Sequence, residues 1–279
     1  MEEAYKKNGV LVLEDFFSVG ECKNLMDRME SIIEETDPAS IDSIFSTIDR
    51  NQVSDQYLLQ SADKISLFLE EEAVDEKGNL VVPLNKAVNK VGHALHDKDQ
   101  VFSTFSRQGK LESLLSGLGM RAPVLMQSMY ICKQPNIGGE VTCHQDAPFL
   151  WTTPQSVIGI WVALEDATLE NGCLWGIPAV HTETLPRSRY WVKAGQTHFD
   201  VLDDRDWPED KKVPLAVKAG SVVVLHGQFP HLSGANRSNR SRHAYAIHYV
   251  DACTEYAQEN WLQRSAQDPA TGFSLAKEL

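Results

Sequence analysis

The sequence contains no C-x-x-C pair, and its five cysteines (Cys22, Cys132, Cys143, Cys173 and Cys253) are odd in number. That excludes zinc-ribbon and thioredoxin-type motifs and argues against a disulfide frame, so the thiols read as free in a reducing compartment. No apolar run approaches the roughly 20 residues that a membrane-spanning helix needs. The opening Met1-Glu-Glu-Ala-Tyr-Lys-Lys7 carries no apolar signal segment, and the ending Ala276-Lys-Glu-Leu279 is not a peroxisomal S-K-L tail, so the cytosol is the expected location. Positive charge is scarce, with 26 Lys and Arg against 39 Asp and Glu and a net charge of −13. Nucleic-acid and anionic-membrane partners favour basic surfaces, so neither is expected. Internal repeats, low-complexity tracts and obvious linkers are also missing. The chain is therefore expected to form one domain over 1–279, and a monomer.

What is present is ordinary for a globular protein: 42% hydrophobic and 23% charged residues in a chain long enough to bury a substantial core. Val10–Leu13 forms a short β-run, and Ser18 with Glu21 makes a capping-box start for a helix whose apolar face is Leu25, Met26, Met29, Ile32 and Ile33. Residues 37–60 are weakly patterned. Ile65–Leu69 alternates as a strand, and Glu70–Asn79 reads as a solvated charged loop. Asn85–His96 reads as a helix with Ala87, Val91 and Leu95 on one side; its His93 and His96 lack an accompanying Glu and are expected at or near the surface. Leu111–Leu118 is a further helix, ended by Gly119.

From Pro123 the pattern changes to strand-like runs at 124–133, 141–144, 157–164, 173–177, 191–193, 213–217, 221–226 and 242–250, with Asn171-Gly172 as a tight-turn dipeptide between two of them. Short strands without long intervening helices predict a mainly β, cupin-like jelly-roll core over 121–252. The largely helical residues 1–120 would brace its outer face, and 253–279 would form a tail.

Two stretches carry the chemistry. His144-Gln-Asp146 places two metal-ligating side chains two residues apart, on one face if the segment is extended. Far downstream, His231 would complete a two-His, one-carboxylate face on a metal, a set that suits non-haem Fe(II) with open positions for dioxygen. Arg242, eleven residues past His231, is a permanent cation suited to gripping a carboxylate. Alternation puts Arg242, Ala244, Ala246 and His248 on one face, the two alanines leaving room for a ligand, and His243 on the other. Together these residues predict an Fe(II)- and 2-oxoglutarate-dependent oxygenase. A second H-x-D, His198-Phe-Asp200, precedes the acidic stretch Asp203–Asp206 and reads as surface. Phe149 and Trp151 could line an apolar entrance or belong to the core.

The string His231-x-Ser233-x-x-Asn236-x-Ser238-x-x-x-Arg242 resembles the signature of the phytanoyl-CoA dioxygenase family. Gln127–Ile131, Gly138–Asp146, Gly159–Trp161 and Glu165–Pro178 match in the same order, with weaker similarity across Asn89–His96. The resemblance implies a double-stranded β-helix with Fe(II) held by His144, Asp146 and His231. It implies 2-oxoglutarate as cosubstrate, its far carboxylate on Arg242 with Ser233 nearby, and Lys90, Met129 and Trp161 lining that pocket. Dioxygen would be the oxidant, ascorbate a reductant, succinate and carbon dioxide the co-products, and a small molecule of acyl or acyl-CoA type the substrate hydroxylated. A coenzyme A group would need a basic rim, for which Arg187, Arg189, Arg237 and Arg240 are candidates. Asp146 disfavours halogenation, because a halide needs the carboxylate's place on iron. Two other classes stay open: a catalytically silent β-helix that binds a 2-oxo acid, and a jelly-roll metalloenzyme that does not use 2-oxoglutarate and would not need Arg242.

Overall fold

From Pro123 onward the chain is built of short segments rich in Val, Ile and aromatic side chains, the types that pack well on a pleated surface. The structure, a computed structural model, describes residues 1–41, 43–45, 56–183 and 185–273; Ala276–Leu279 and part of the weakly patterned stretch 37–60 lie outside them. Among the described residues the strands are β1 (Val10–Leu13), β2 (Ile44–Phe45), β3 (Ile65–Glu70), β4 (Val88–His93), β5 (Pro123–Ile131), β6 (Val141–His144), β7 (Thr152–Thr153) and β8 (Ile158–Ala163). They continue with β9 (Leu174–Gly176), β10 (Ser188–Lys193), β11 (Gln196–Val201), β12 (Val213–Leu215), β13 (Val222–His226), β14 (His231–Ser233), β15 (Ala244–Asp251) and β16 (Glu255–Tyr256). The α-helices are α1 (Glu2–Asn8), α2 (Val19–Glu35), α3 (Gln56–Gln60), α4 (Leu84–Ala87), α5 (Leu95–Lys98), α6 (Gln100–Ser106) and α7 (Gly109–Gly117). None is long and apolar enough to cross a membrane.

Two sheets make the core. The larger has the order β1-β13-β8-β15-β5-β4-β3-β2, antiparallel except for the β2/β3 pair, and the smaller is β12-β9-β14-β6. Alternation along the large sheet sorts its side chains. Trp161, Val223, Leu225, Ala244 and Ala246 pack with Leu174 and Leu215 of the small sheet, whereas Ile160, Val162, Val224, Tyr245, Ile247 and Tyr249 pack outward on the helices. The result is the expected double-stranded β-helix, mainly β, with the two sheets facing but not closed into a barrel.

Helix α2 shows how a local signal and packing combine. Ser18 Oγ accepts from the Glu21 backbone N–H at 3.2 Å, and Glu21 Oε2 accepts from the Ser18 N–H at 2.8 Å, which completes the capping box. Leu25, Met29, Ile32 and Ile33 are then buried against the large sheet, each contributing roughly 1.5–3 kcal/mol over exposure.

The N-terminal part departs from expectation. It is not only a helical brace, because β1, β2, β3 and β4 extend the large sheet on both edges. Asn85–His96 is not one helix: α4 ends at Ala87, β4 follows, and α5 begins at Leu95. The spacing of Ala87, Val91 and Leu95 mimics a helical face, but Val88, Val91 and Gly92 are poor helix formers, and ladders to β3 on one side and β5 on the other satisfy the backbone as strand. Glu70, assigned to a solvated loop, is fully buried and accepts from Asn89 Nδ2 at 2.8 Å and the Gly139 N–H at 3.0 Å. His93 and His96 are likewise buried, with Nδ1 atoms 2.8 Å from the hydroxyls of Ser61 and Ser128 respectively. Strands β11 and β14 carried no strand signal that sequence alone isolated.

Candidate metal centre

The small sheet sets the three candidate ligands. In the β6/β14 pair His144 lies directly opposite His231, and their rings stand 4.3 Å apart between centroids. Strand β6 ends at His144, so Asp146 is not on the strand; it leads into the 3-10 turn Ala147–Phe149, and still turns its carboxylate to the same point. Asp146 Oδ1 is 3.7 Å from both His144 Nε2 and His231 Nε2, and one ligand atom from each residue falls within 4.8 Å of the others. This is the group of at least three His, Cys, Asp or Glu side chains with metal-binding geometry found among the described residues.

The imidazoles are preset as ligands. His144 Nδ1 lies 2.9 Å from the Thr142 carbonyl oxygen and His231 Nδ1 lies 3.0 Å from that of Phe229. A carbonyl can only accept, so each Nδ1 carries the proton and each Nε2 presents a lone pair toward Asp146. Burial, followed by the neighbouring His231, pulls His144 down to about 4, which keeps it neutral as a ligand must be. At Asp146 burial opposes ionisation, but His231 and His248, when protonated, outweigh it and hold the carboxyl well below the usual carboxylate range. The donor set of two neutral nitrogens and one carboxylate therefore fits a divalent metal with open positions.

Behind the triad the large sheet supplies a floor. His248 Nε2 stands 3.2 Å from Asp146 Oδ2, the oxygen that does not face His144 and His231. Room for this pair comes from Gly159, where a Cβ would fall 3.2 Å from Asp146 Oδ2. Register aligns Gly92, Met129, Ala246, Trp161 and Val223 in one row, and Lys90, Ile131, Ala244 and Ala163 in the next. Lys90 thus sits on a strand with its side chain buried, its Nζ 5.0 Å from the Phe68 ring centroid, and burial pulls it down to about 7.

Arg242 lies just before β15 and is 1% exposed. Its Nε donates to the Gly172 carbonyl at 3.2 Å and its guanidinium lies 5.2 Å from the Trp161 ring, while Nη1 is buried with no protein partner. Burial pulls it down only to about 10, so it stays a cation. Ser233 Oγ accepts from Lys133 Nζ at 2.9 Å. An unpartnered, buried guanidinium N–H two residues before small Ala244 is suited to receive an anion.

Other candidates fall outside this cluster. His198 stacks on Trp191 at 4.2 Å, and Asp200 accepts from Trp191 Nε1. His226 packs against His181, whose Nε2 contacts the Lys6 carbonyl. His243 Nδ1 contacts Tyr130 Oη on the helix side of the sheet. Of the proposed basic rim, Arg187 pairs with Glu183 and Asp203, Arg189 with Glu259 and Arg237 with Glu72. Phe149 packs on Tyr190, while Trp151, Leu185 and Pro186 line a cavity of about 240 Å³ that includes Ala147 beside Asp146. His248 and Lys133 were missed as site residues. Alternation had put His248 on the inner face, but nothing in the sequence signalled Lys133.

Comparison with known proteins agrees with this geometry. The family profile described as phytanoyl-CoA dioxygenase (PhyH) matches residues 5–244. The chain is 45% identical over 263 residues to the Arabidopsis thaliana protein named phytanoyl-CoA dioxygenase, covering 94% of this chain and 92% of that one. It is 43% identical over 276 residues to phytanoyl-CoA dioxygenase domain-containing protein 1 of Mus musculus, covering 95% and 94%. The fold is shared with EctD from S. alaskensis, solved with 2-oxoglutarate and 5-hydroxyectoine, at a TM-score of 0.65 and 17% identity over 98% of this chain and 85% of that one.

Proposed function

This chain belongs to the phytanoyl-CoA dioxygenase family, and from that premise we propose that it is an Fe(II)- and 2-oxoglutarate-dependent dioxygenase that hydroxylates a small acyl compound. The observation that carries this is the convergence of His144 Nε2, Asp146 Oδ1 and His231 Nε2, with both imidazole tautomers fixed from behind. These three residues would hold the Fe(II). Bound there with 2-oxoglutarate and dioxygen, the metal supplies oxidative decarboxylation to succinate and carbon dioxide and the power to hydroxylate a C–H bond.

The protein's own residues do the placing. Arg242 Nη1 and the Ser233 hydroxyl would bind the distal carboxylate, and Trp161 and Met129 would wall the chain between the two carboxylates. Lys90, on the same face of the sheet, would add positive charge when protonated. Asp146 and His231 are about one-tenth exposed while the His144 side chain is 31% exposed, so substrate and solvent reach the centre past His144. Trp151, Leu185 and Pro186 line a cavity that reaches Ala147, next in sequence to Asp146, and would offer an apolar surface to the substrate. An acyl compound is favoured over its coenzyme A ester because Arg187, Arg189 and Arg237 are already held by carboxylates. The unpaired cysteines favour a reducing compartment, and we place the enzyme in the cytosol.

The test is succinate formation from 2-oxoglutarate by anaerobically purified protein given Fe(II), ascorbate and dioxygen. We expect His144→Ala and Arg242→Ala each to lower turnover at least a hundredfold. Failure of the Fe(II)-loaded wild-type protein to bind 2-oxoglutarate by calorimetry would sink the proposal.

A further inference from the structure

The geometry points to Lys133 as a positioning residue of the anion pocket, one that turns the Ser233 hydroxyl toward the distal carboxylate of the 2-oxo acid and doubles the charge offered by Arg242. This rests on the proposed function and deepens it, by making Lys133 a determinant of selectivity for a 2-oxo diacid.

Three observations carry it. First, Lys133 has φ +39°, a left-handed conformation that a long side chain rarely adopts. Its carbonyl oxygen is gripped from both sides, by Asn236 Nδ2 at 3.0 Å and by the Arg242 backbone N–H at 3.3 Å. Strain of this kind survives only where the surroundings impose it, and here the imposing residues flank the pocket. Asn236 therefore serves to hold Lys133.

Second, the strained backbone sends the Lys133 side chain inward, where it is 1% exposed. Its Nζ donates to Ser233 Oγ at 2.9 Å and to the Gly139 carbonyl at 2.5 Å. An ammonium has no lone pair, so the serine oxygen must accept and its own proton must point away from Lys133. That proton and the unpartnered Arg242 Nη1 are then two donors for the two oxygens of one carboxylate.

Third, Gly172 places the two cations side by side. At φ +81°, it leaves open the space where a Cβ would come 2.8 Å from Lys133 Cε, and its carbonyl accepts from Arg242 Nε. The charged groups facing Lys133 are Arg242, Glu70 and Glu140. Burial pushes the Glu70 carboxyl up and leaves its Oε1 without a protein partner. With Lys133 protonated, two buried cations would face a single buried carboxylate, an imbalance that an incoming carboxylate corrects. Burial, and then Arg242, pulls Lys133 down to about 7, so at pH 8 it is largely neutral in the empty pocket and gains a proton when an anion arrives.

The experiment is calorimetry on the full-length, anaerobic, Fe(II)-loaded protein at pH 8, in buffers of different ionisation enthalpy. The probes are 2-oxoglutarate and 2-oxopentanoate, which lacks the distal carboxylate. Lys133→Met should weaken 2-oxoglutarate at least tenfold, leave 2-oxopentanoate within twofold and abolish proton uptake. Lys133→Arg should keep most of the affinity without proton uptake, and Lys133→Met combined with Ser233→Ala should cost less than the sum of the two. Equal weakening of both oxo acids, wild-type affinity in Lys133→Met, or undiminished proton uptake in that variant would each overturn the assignment. If the wild-type protein binds 2-oxopentanoate as tightly as 2-oxoglutarate, the pocket does not read the distal carboxylate and the assignment is wrong. If the wild-type protein binds neither, the proposed function is itself wrong and the role of Lys133 falls with it.

Discussion

At the scale of single residues, the candidate centre depends on side chains that never reach a ligand. His248 is the clearest, because its Nε2 stands 3.2 Å from the Asp146 oxygen that faces away from the histidines. A carboxylate held from behind loses less freedom on binding a metal and keeps its orientation. His248→Ala is expected to weaken Fe(II) binding by roughly 10- to 100-fold while far-UV circular dichroism stays unchanged. A metal-competition titration giving wild-type affinity would show that Asp146 needs no such support. The candidate ligands themselves were legible because two of them are close in sequence and the third sits in a spaced motif with Arg242. His248 and Lys133 were not, since each acquires meaning only from partners more than 90 residues away.

At the scale of elements, α2 and the segment 84–98 make opposite points. The capping box at Ser18 and Glu21 is local, so the sequence marks it and the structure contains it. Ser18→Ala should cost about 1 kcal/mol in urea unfolding, and a loss below about 0.3 kcal/mol would show that packing alone starts this helix. In 84–98 the apolar spacing is helical, yet the middle six residues are a strand lying between β3 and β5. Hydrogen-bonding partners from distant strands overrode the local pattern, and this is what places Lys90 on a strand in the interior.

For the whole molecule, buried histidines set how stability responds to pH. His93 and His96 are fully enclosed and His226 is partly so, and burial lowers all three, His226 to about 4. The unfolded chain binds protons at these sites near pH 6.5, before the folded one does. Their contribution is therefore complete above about pH 7 and is lost as pH falls from 6.5 toward 4, with a slope of up to about 1.4 kcal/mol per pH unit for each proton. Urea titrations of the metal-free protein between pH 8 and 5 should show stability falling as the pH drops, through buried Lys90 and Lys133 above about pH 7 and through the histidines below it, where the fall should be less steep in His93→Gln. A flat profile would mean that these rings are solvated.

The sequence by itself determined the β-rich core, the capped helix, the free thiols, and the four side chains proposed for the chemistry: His144, Asp146, His231 and Arg242. These are written in short-range terms, as alternation, caps and fixed spacings, which a linear chain can express. Only the tertiary structure decided that the N-terminal part extends the large sheet, that Glu70, His93 and His96 are buried, and that Lys133 lies against Ser233 and His248 against Asp146. Burial and hydrogen-bond partnership are properties of pairs brought together by folding, and a strand is stabilised by neighbours that its own sequence does not name.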